Sequence, residues 1–376
     1  MPSRDLIDSL AALLRGDRIG WSTLEVTPEQ FIDACNAQDL AGLVHSCVER
    51  DNKWTTWPLS VREPLAEQSR ADAARELLRR RETENALSAL AAEGVYPILL
   101  KGTPLAYEVY PAPHLRTRTD TDLLILRAHV ETARRALGRL GYTSSLLCDG
   151  ELLFCQFELE KTDEFGVQHA FDVHWKISTQ SVFADLLTYD ELAAEARPVP
   201  ALGPPARCPG FVHALLLACL HPAMHHRNVA RLVWLYDVHL LASRLSATEL
   251  DRFVDLATSK RVLAICRHAL STSHALFGTS LPESLLRRMD DVEGDEPTAA
   301  YLQTSRRWHN ELASNLGGLP DWGRRFKLLR EVLFPAPGYI HRAYGVAPGR
   351  LATLLLPVFY LHRVFRGGVN VLVGRK

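Results

Sequence analysis

The sequence predicts an α+β fold, in which a small mixed β-sheet with flanking helices lies between N-terminal helices and a C-terminal helical domain. In the middle of the chain, short apolar runs and short helical stretches follow one another in the order β-α-β-α-β-β-β, which is typical of a mixed sheet with helices packed on it. On both sides of this region the apolar residues have helical spacing. The chain has 376 residues, of which 47% are hydrophobic and 23% charged, as in an ordinary globular protein with a sizeable core.

The first segment, residues 1–65, is predicted to be helical. Its stretch from Asp5 to Arg50 carries apolar residues near helical spacing. The Trp54–Pro58 stretch and Pro64 are expected to interrupt this pattern, because proline cannot donate a backbone hydrogen bond.

The second segment, residues 66–208, contains the predicted sheet. It begins with a helix from Ala71 to Ala92, rich in the helix formers Ala, Leu, Arg and Glu, and Gly94 ends this helix. Two further helices, Thr103–Val109 and Val130–Leu140, are predicted between the first three strands. The predicted strands are Val95–Leu100, Leu123–Leu126, Tyr142–Leu147, Leu152–Leu159 and Val167–Ile177.

The third segment, residues 209–376, is predicted to be a helical domain that follows a stretch rich in Pro and Gly, Pro198–Gly210. The best helix candidates are Phe211–Leu220, Val229–Ser243, Ala247–Thr258, Arg261–Phe277 and Trp322–Leu333.

Charge is distributed unevenly along the chain, although the formal net charge is only -1. From Tyr301 onward there are twelve Lys and Arg residues against three Asp and Glu residues, and the remainder is acidic. This asymmetry leaves two interpretations open. The basic C-terminal region meets RNA, a membrane surface or another anionic partner, or it packs against the acidic body of the same chain.

The seven cysteines are scattered and form no Cys-x-x-Cys pair, which argues against a disulfide framework and a zinc ribbon. The first residues show no signal-peptide pattern, so a cytoplasmic location is predicted. The most apolar run, Leu351–Leu361, is too short for a transmembrane segment. We interpret it as a packed terminal helix. Attachment to a membrane surface is the alternative, because Arg363 and Arg366 follow.

Two aspartates open the second predicted strand. Residues i and i+2 of a strand point to the same side, so Asp120 and Asp122 would present two carboxylates on one face. A shared cation removes their repulsion, and carboxylate oxygens suit Mg²⁺. The same "TDTD" stretch is also compatible with an ordinary surface turn.

A third acid strengthens the metal-site interpretation. In "HAFDVHWKIS", apolar residues alternate with Asp172, His174 and Lys176. The apolar face belongs on the core, which leaves Asp172 in mid-strand on the other face, without a packing role. Three carboxylates on two strands can hold two divalent ions for a phosphoryl or nucleotidyl displacement.

The turn Lys101-Gly102-Thr103 joins a strand to a short helix, so its backbone N–H groups can face an anion. Gly102 allows a phosphate to approach the backbone, and Thr103 offers a hydroxyl. Lys101, Arg116 and Arg118 are cations near the expected position of a triphosphate. Neither a P-loop spacing nor a GxGxxG fingerprint is present.

The stretches "ILLKGTPLA…YPAPHLRTRTDTDLLI", Gly141–Tyr142 and "FDVHWKI" resemble the uncharacterised nucleotidyltransferase family of the polymerase-beta-like superfamily. In that pattern Gly102-Thr103 stand at the Gly-Ser turn, Asp120 and Asp122 at the Asp-x-Asp motif, and Asp172 at the third acid. "LLLACLHPAMHH…ARLVWLYDVHLL" and "FPAPGYIHRAYG" are also similar to the family, so the resemblance runs from about Ala71 to the C-terminus.

The resemblance implies a polymerase-beta-like core and a Mg²⁺-dependent nucleotidyltransferase, with one or two ions and with Mn²⁺ as a substitute. Asp120 and Asp122 would hold the ion that binds the β- and γ-phosphates of an NTP, most simply ATP. A second ion, shared with Asp172, would activate an acceptor hydroxyl, and pyrophosphate would leave. Lys101, Arg116, Arg118 and the Gly102-Thr103 backbone would bind the phosphates.

The acceptor stays open. A small molecule or a peptide is favoured over RNA, because the helices show no evenly spaced Lys/Arg stripe with interleaved aromatic residues. A non-catalytic nucleotide-sensing or partner-binding module on the same fold is the rival from another class, and a phosphotransferase that moves the γ-phosphate is a third interpretation. Thr119 stands where the family usually has Gly before the first Asp, and this departure predicts reduced activity.

Three further residues are candidates for contacts with the substrate. His174 lies two positions after Asp172, and three roles are open to it: it binds a phosphate, relays a proton or packs in the sheet. His221 begins "HPAMHH", where two imidazoles share one helix face, but no third ligand completes a zinc site. Asp237 reaches either the active site or an arginine such as Arg231.

Overall fold

The structure is a computed structural model, and it describes residues 3–50, 52–146, 155–229, 231–290, 296–304, 308–319, 321–335, 337–346 and 349–373. These residues form many helices and one mixed sheet, so the predicted α+β class is confirmed. Of the predicted strands, Leu147 and residues 152–154 lie outside the described residues.

Four helices precede the sheet. Three short ones replace the predicted helical stretch at the N-terminus, and a long one follows: α1 (Arg4–Arg15), α2 (Pro28–Ala37), α3 (Ala41–Glu49) and α4 (Leu59–Ala92). A capping box between Thr27 and Gln30 starts α2.

The predicted helix break at Pro64 is wrong, because α4 runs through this residue. Pro64 is near the N-terminal end of α4, so only one backbone hydrogen bond, to the carbonyl of Ser60, is lost. Val61 and Leu65 are buried on either side of it, and their packing holds the first turns of α4 in place.

The described residues form a seven-stranded sheet in the order β3-β4-β5-β2-β1-β7-β6. β2 and β5 are parallel, as are β1 and β7, and the other neighbours are antiparallel. The last two strands were not predicted, and they lie in or next to the stretch rich in Pro and Gly, Pro198–Gly210. The strands are β1 (Ile98–Leu100), β2 (Thr121–Leu124), β3 (Thr143–Leu146), β4 (Gln156–Thr162), β5 (Gln168–His174), β6 (Arg197–Pro198) and β7 (Arg207–Cys208).

The helices of this central region are α5 (Gly102–Glu108), α6 (Val130–Arg139), α7 (Ser181–Ala184) and α8 (Tyr189–Ala194). One face of the sheet packs on α4 and α6 through a cluster of buried residues that includes Leu99, Leu123, Phe171 and Val173. Because neighbouring residues of a strand point to opposite sides, this packing turns Asp122 and Asp172 to the other face.

Five helices follow the sheet: α9 (Phe211–His225), α10 (Leu232–Arg244), α11 (Ala247–Ser259), α12 (Leu263–Phe277) and α13 (Glu283–Asp290). Their apolar residues share one hydrophobic core with α1, α2 and α3, and that core also includes Leu100 and Leu124 of the sheet. The division at residues 65/66 and 208/209 stays a prediction, and α4 crosses the first of these boundaries.

The basic C-terminal region contributes α14 (Trp308–Gly317), α15 (Trp322–Leu333), α16 (Pro337–Ala343) and α17 (Arg350–Val373). Among the helices that the structure describes, none combines the length and the apolar content needed to cross a bilayer. The apolar run Leu351–Leu361 is part of a longer helix, α17, in which Ala352 and Leu356 are buried.

Candidate functional site

Asp122 on β2 and Asp172 on β5 are direct partners across the parallel strand pair. In the strand register, Leu100 of β1 lies opposite Asp122, and Glu158 of β4 lies opposite Asp172, so the four residues form one row across the sheet. Suitable ligand atoms of Asp122, Asp172 and His174 all lie within 4.8 Å of one another. The sheet register therefore brings together acids that are fifty positions apart in the sequence.

The Asp122 carboxylate accepts two hydrogen bonds on the same oxygen. Lys101 Nζ donates to Oδ1 at 2.6 Å, and His174 Nε2 lies 2.8 Å from the same atom. Burial by itself would raise the pKa of Asp122, but the Lys101 ammonium and the His174 hydrogen bond lower it well below its usual range. Asp122 is therefore ionised, and it offers its charge to any cation in the site.

Asp172 has the opposite electrostatic character. Burial, followed by the charges of Asp122 and Asp120, raises the pKa of Asp172 to about 7. Among the described residues, its buried Oδ1 has no hydrogen-bond partner. An unpartnered carboxylate oxygen beside a second carboxylate is costly unless a proton or a cation is bound there.

These residues fit a divalent ion. Two carboxylates supply the oxygen ligands that Mg²⁺ and Mn²⁺ prefer, and the imidazole of His174 holds one of them, Asp122, by a hydrogen bond. The converging group differs from the predicted triad, because His174 takes the place of Asp120 in it. Asp120 lines the same cavity, and burial together with the Asp122 charge raises its pKa.

A cavity of about 560 Å³ opens in front of these acids, a volume within the range of small-molecule sites. Its wall is formed by the ends of β1 and β2, the middle of α4, and the facing parts of α9 and α10. Asp120, Asp122 and Asp172 lie together in this wall. Thr119 lines it also, and the expected effect of this Thr on activity stays a prediction.

The Lys101-Gly102-Thr103 turn lies where the sequence predicts it, between β1 and α5. Lys101 has a φ of 55°, a backbone conformation that is costly for a residue with a side chain and that is common at functional sites. Lys101 and Gly102 line the cavity. The Thr103 hydroxyl is buried and lies 3.5 Å from that of Thr121. The predicted phosphate contacts of all three stay predictions.

Arg116 forms a buried bidentate ion pair with Asp237. Its Nε donates to Oδ1 at 2.9 Å and its Nη2 to Oδ2 at 2.8 Å, while the Tyr110 hydroxyl donates to Oδ1 at 2.7 Å. The guanidinium lies against Gly102, where a Cβ would be 3.4 Å away. Asp237 therefore holds Arg116 and not Arg231, which pairs with Asp39.

Arg118 is held in a similar way by Glu76 of α4. Its Nη1 donates to Oε2 at 2.6 Å and its Nη2 to Oε1 at 2.9 Å, and the Tyr107 hydroxyl also donates to Oε1. Arg116 and Arg118 both line the cavity, but each already has a carboxylate partner. Their role as phosphate ligands stays a prediction, and their ion pairs give them a positioning role.

Two cations on α4 were not found by sequence reasoning. Arg75 and Arg79 line the cavity, and the Nε of Arg79 is buried without a hydrogen-bond partner among the described residues. Burial and the charge of Arg118 lower the pKa of Arg79, because both disfavour its positive charge. An anion bound beside the guanidinium would therefore stabilise that charge. A sequence signal exists in the spacing of four polar residues of α4, which follow one another at intervals of three, four and seven, and which the structure shows to be buried. They are Ser69, Asp72, Glu76 and Thr83.

Aromatic rings of α9 and α10 form another part of the cavity wall. His226 stacks on Trp234 with ring centroids 4.2 Å apart, and His221 contacts the same indole edge-on at 4.9 Å. Burial, followed by the charge of Lys101, lowers the pKa values of His221 and His225 well below the usual value. Both imidazoles are therefore neutral. The predicted substrate contact of His221 is compatible with its place in the wall but stays untested.

A family model described as an uncharacterised nucleotidyltransferase matches residues 25–278. This range differs at both ends from the one that the resemblance covers. The match starts before Ala71, and it ends before the stretch "FPAPGYIHRAYG". No curated protein matches the sequence. The matched range contains every residue of the cavity wall described above.

Proposed function

Because the chain belongs to the uncharacterised nucleotidyltransferase family, we propose that it transfers an NMP group from an NTP, most simply ATP, to a hydroxyl of a small-molecule or peptide acceptor. Pyrophosphate is the second product. The observation that carries this proposal is that Asp122 and Asp172 lie side by side in one row of the sheet, at a cavity that cations also line. Oδ1 of Asp172 has no hydrogen-bond partner among the residues that the structure describes.

The residues proposed to hold Mg²⁺ are Asp122 and Asp172, with Asp120 and His174 beside them. When bound, the ion supplies positive charge that stabilises the phosphates and lowers the pKa of a hydroxyl. Lys101 now neutralises Asp122 at 2.6 Å, so its ammonium is available for an NTP phosphate once another cation balances this carboxylate.

The phosphate side of the cavity is assigned to Lys101, Arg79 and the backbone at Gly102. The Nε atoms of Arg79 and Arg118 both have no hydrogen-bond partner among the described residues. Arg118, however, donates from both terminal nitrogens to Glu76, and Arg116 is tied to Asp237, so Arg79 is the arginine assigned to the phosphates. In this proposal the two tied arginines set the shape of the loop that carries Asp120.

Asp172 is proposed to receive the acceptor's proton. The acceptor oxygen forms a bond to the α-phosphorus, the bond from that phosphorus to the β-phosphate oxygen breaks, and pyrophosphate leaves with the bonding electrons. The carboxylate oxygen of Asp172 that the ion does not occupy is the acceptor atom for the proton. General base catalysis requires such an atom within hydrogen-bond reach of the reacting hydroxyl.

Trp234 and His226 are proposed to bind the nucleobase. Their stacked rings offer an aromatic surface at the cavity, with His226 exposed. Stacking of a base on an aromatic side chain contributes about 1–3 kcal/mol. His221 and His225, which are neutral, can donate to or accept from a bound ligand without adding charge.

The proposal is tested by measuring pyrophosphate release with Mg²⁺, the four NTPs and a panel of acceptors that includes sugars, peptides and RNA. Wild type is compared with Asp172→Asn, and Asp185→Asn serves as the matched control because Asp185 is exposed and pairs with Lys176. We expect release that Asp172→Asn abolishes and Asp185→Asn preserves. An ADP product identifies a phosphotransferase instead. NTP binding without release on any acceptor identifies a nucleotide-sensing module.

A further inference from the structure

Exposed apolar side chains are concentrated in the basic C-terminal region. Ten of the fifteen large apolar side chains that are exposed in the described residues lie between Trp322 and Phe365. Scattered exposed apolar residues are normal, but a contiguous group of them indicates an interaction surface.

On α17 these residues form one stripe. Leu351, Leu354, Val358, Leu361 and Phe365 follow one another at spacings of three and four, so they share one side of the helix. Ala352 and Leu356 are buried on the opposite side. The helix is apolar on both sides, yet the residues that the structure describes cover only one of them.

α15 has a similar stripe. Trp322 and Phe326 are 71% and 68% exposed, and Leu333 continues their line after Leu329. The two helices are joined, since the Tyr360 hydroxyl of α17 donates to the carbonyl of Pro335 just beyond α15, at 2.7 Å. The exposed stripes therefore belong to one structural unit.

The charged residues near the apolar stripes are positive, which favours an anionic partner. α15 carries Arg324, Arg325, Lys327 and Arg330, and the chain has six Lys and Arg residues but no Asp or Glu after Glu331. A second copy of α17 would place cations against cations, which opposes self-association. RNA would not cover a stripe of leucines. An anionic bilayer matches both features, because acyl chains cover the apolar stripe while phosphate groups meet the cations.

We propose that α15 and α17 form a docking surface for membranes that contain anionic phospholipids. The helices lie in the interface with the exposed stripes toward the acyl chains, and they do not span the bilayer. This surface is independent of the cavity at the sheet, so the docking proposal stands or falls separately from the nucleotidyl-transfer proposal.

The experiment is flotation of the full chain with two kinds of vesicle, one of phosphatidylcholine alone and one with about one third phosphatidylglycerol. We expect wild type to float with the anionic vesicles and to be released by high salt, because exposed charge pairs are screened. The triple variant Leu354→Gln/Leu361→Gln/Phe365→Gln is expected to lose binding by about 30-fold or more. Leu77→Gln, at a 69% exposed leucine of α4, is the matched control and should bind as wild type.

A second variant keeps the test independent of the fold of α17. Arg324→Gln/Arg330→Gln changes exposed cations of α15 and is expected to weaken binding to anionic vesicles by about thirtyfold, since each basic residue near the surface contributes about 1 kcal/mol. Far-UV circular dichroism checks that both variants keep the wild-type helix content.

Three results would overturn the proposal. They are no binding to either vesicle, equal binding to both compositions, and wild-type binding by the triple glutamine variant. Light scattering of the wild type provides a further check: a dimer that the triple variant converts to a monomer, with no flotation of either, identifies a second copy of the chain as the occupant of the stripe.

Discussion

Asp122 and Asp172 are the same kind of residue on neighbouring parallel strands, yet their pKa values are displaced in opposite directions. Lys101 and His174 both contact Oδ1 of Asp122 and keep this carboxylate ionised. In the described part of the chain, the buried Oδ1 of Asp172 has no such partner, and burial beside Asp122 and Asp120 raises the pKa of Asp172 to about 7. Asp122 is therefore ionised at neutral pH, whereas Asp172 gains or loses its proton near neutral pH.

The substitution Asp172→Asn is expected to stabilise the metal-free protein at pH 8. A carboxyl with a raised folded-state pKa binds more protons in the folded than in the unfolded state between about pH 4 and 7, so the stability of wild type falls as pH rises through this interval. The neutral amide avoids that loss. We expect a Tm higher by about 3 °C at pH 8 and an unchanged Tm at pH 4, measured by calorimetry with a chelator present. A lower Tm at pH 8 would contradict the repulsion inferred here.

Binding of Mg²⁺ is expected to weaken as pH falls below 7. The proton on Asp172 competes with the ion for the same oxygen, so the apparent affinity should decrease by up to about tenfold per pH unit below the pKa. Isothermal titration at pH 6, 7 and 8 measures this dependence. Asp172→Asn should bind Mg²⁺ weakly and without this change with pH, and an affinity of wild type that is constant from pH 6 to 8 would exclude Asp172 as a ligand.

Arg79→Ala is expected to weaken NTP binding by about tenfold, because it removes a cavity cation whose Nε has no partner among the described residues. Arg80→Ala is the matched control, since Arg80 is the next residue of α4 and pairs at the surface with Glu84. Fluorescence titration with a labelled NTP in the presence of Mg²⁺ compares the two. Equal affinities for both variants would remove Arg79 from the phosphate site.

The buried Arg116–Asp237 pair is expected to contribute far more to stability than the exposed Arg231–Asp39 pair. Asp237→Asn leaves the Arg116 guanidinium buried without a counter-charge, which costs about 3 kcal/mol or more. Asp39→Asn should cost less than about 1 kcal/mol, because both partners of that pair are partly exposed.

Urea unfolding at pH 7 measures both free energies of unfolding. Similar losses for the two variants would show that Arg116 is compensated by other groups. Asp237→Asn is also expected to reduce NTP binding, because the Arg116 guanidinium lies against Gly102 at the cavity.

Several parts of the site were predictable from local pattern alone. The alternation in "HAFDVHWKIS" assigns Phe171 and Val173 to the core and Asp172 to the other face, and the structure confirms this arrangement. The turn at Lys101–Thr103 was likewise predicted between a strand and a helix. Periodicity within a strand is a short-range property, and each of these predictions depends on fewer than ten neighbouring residues.

The partners of charged residues were not predictable in this way. Glu76 and Arg118 are forty-two positions apart, and Asp237 and Arg116 are more than a hundred apart. The helical spacing of Asp72, Glu76 and Thr83 was visible in the sequence, but without a known partner it resembles the solvated face of a long helix.

The sequence by itself determined the α+β class and the family, and it pointed to the three acids and the Lys-Gly-Thr turn that are proposed for the site, because these depend on local periodicity and on short motifs. Only the tertiary structure decided that His174 converges with Asp122 and Asp172, that Arg116 and Arg118 are held in ion pairs, and that one apolar side of α17 is covered by none of the residues that the structure describes. The physical reason is that charge pairing and burial depend on distances between segments remote in the chain, and those distances exist only once the sheet register and the helix packing are formed.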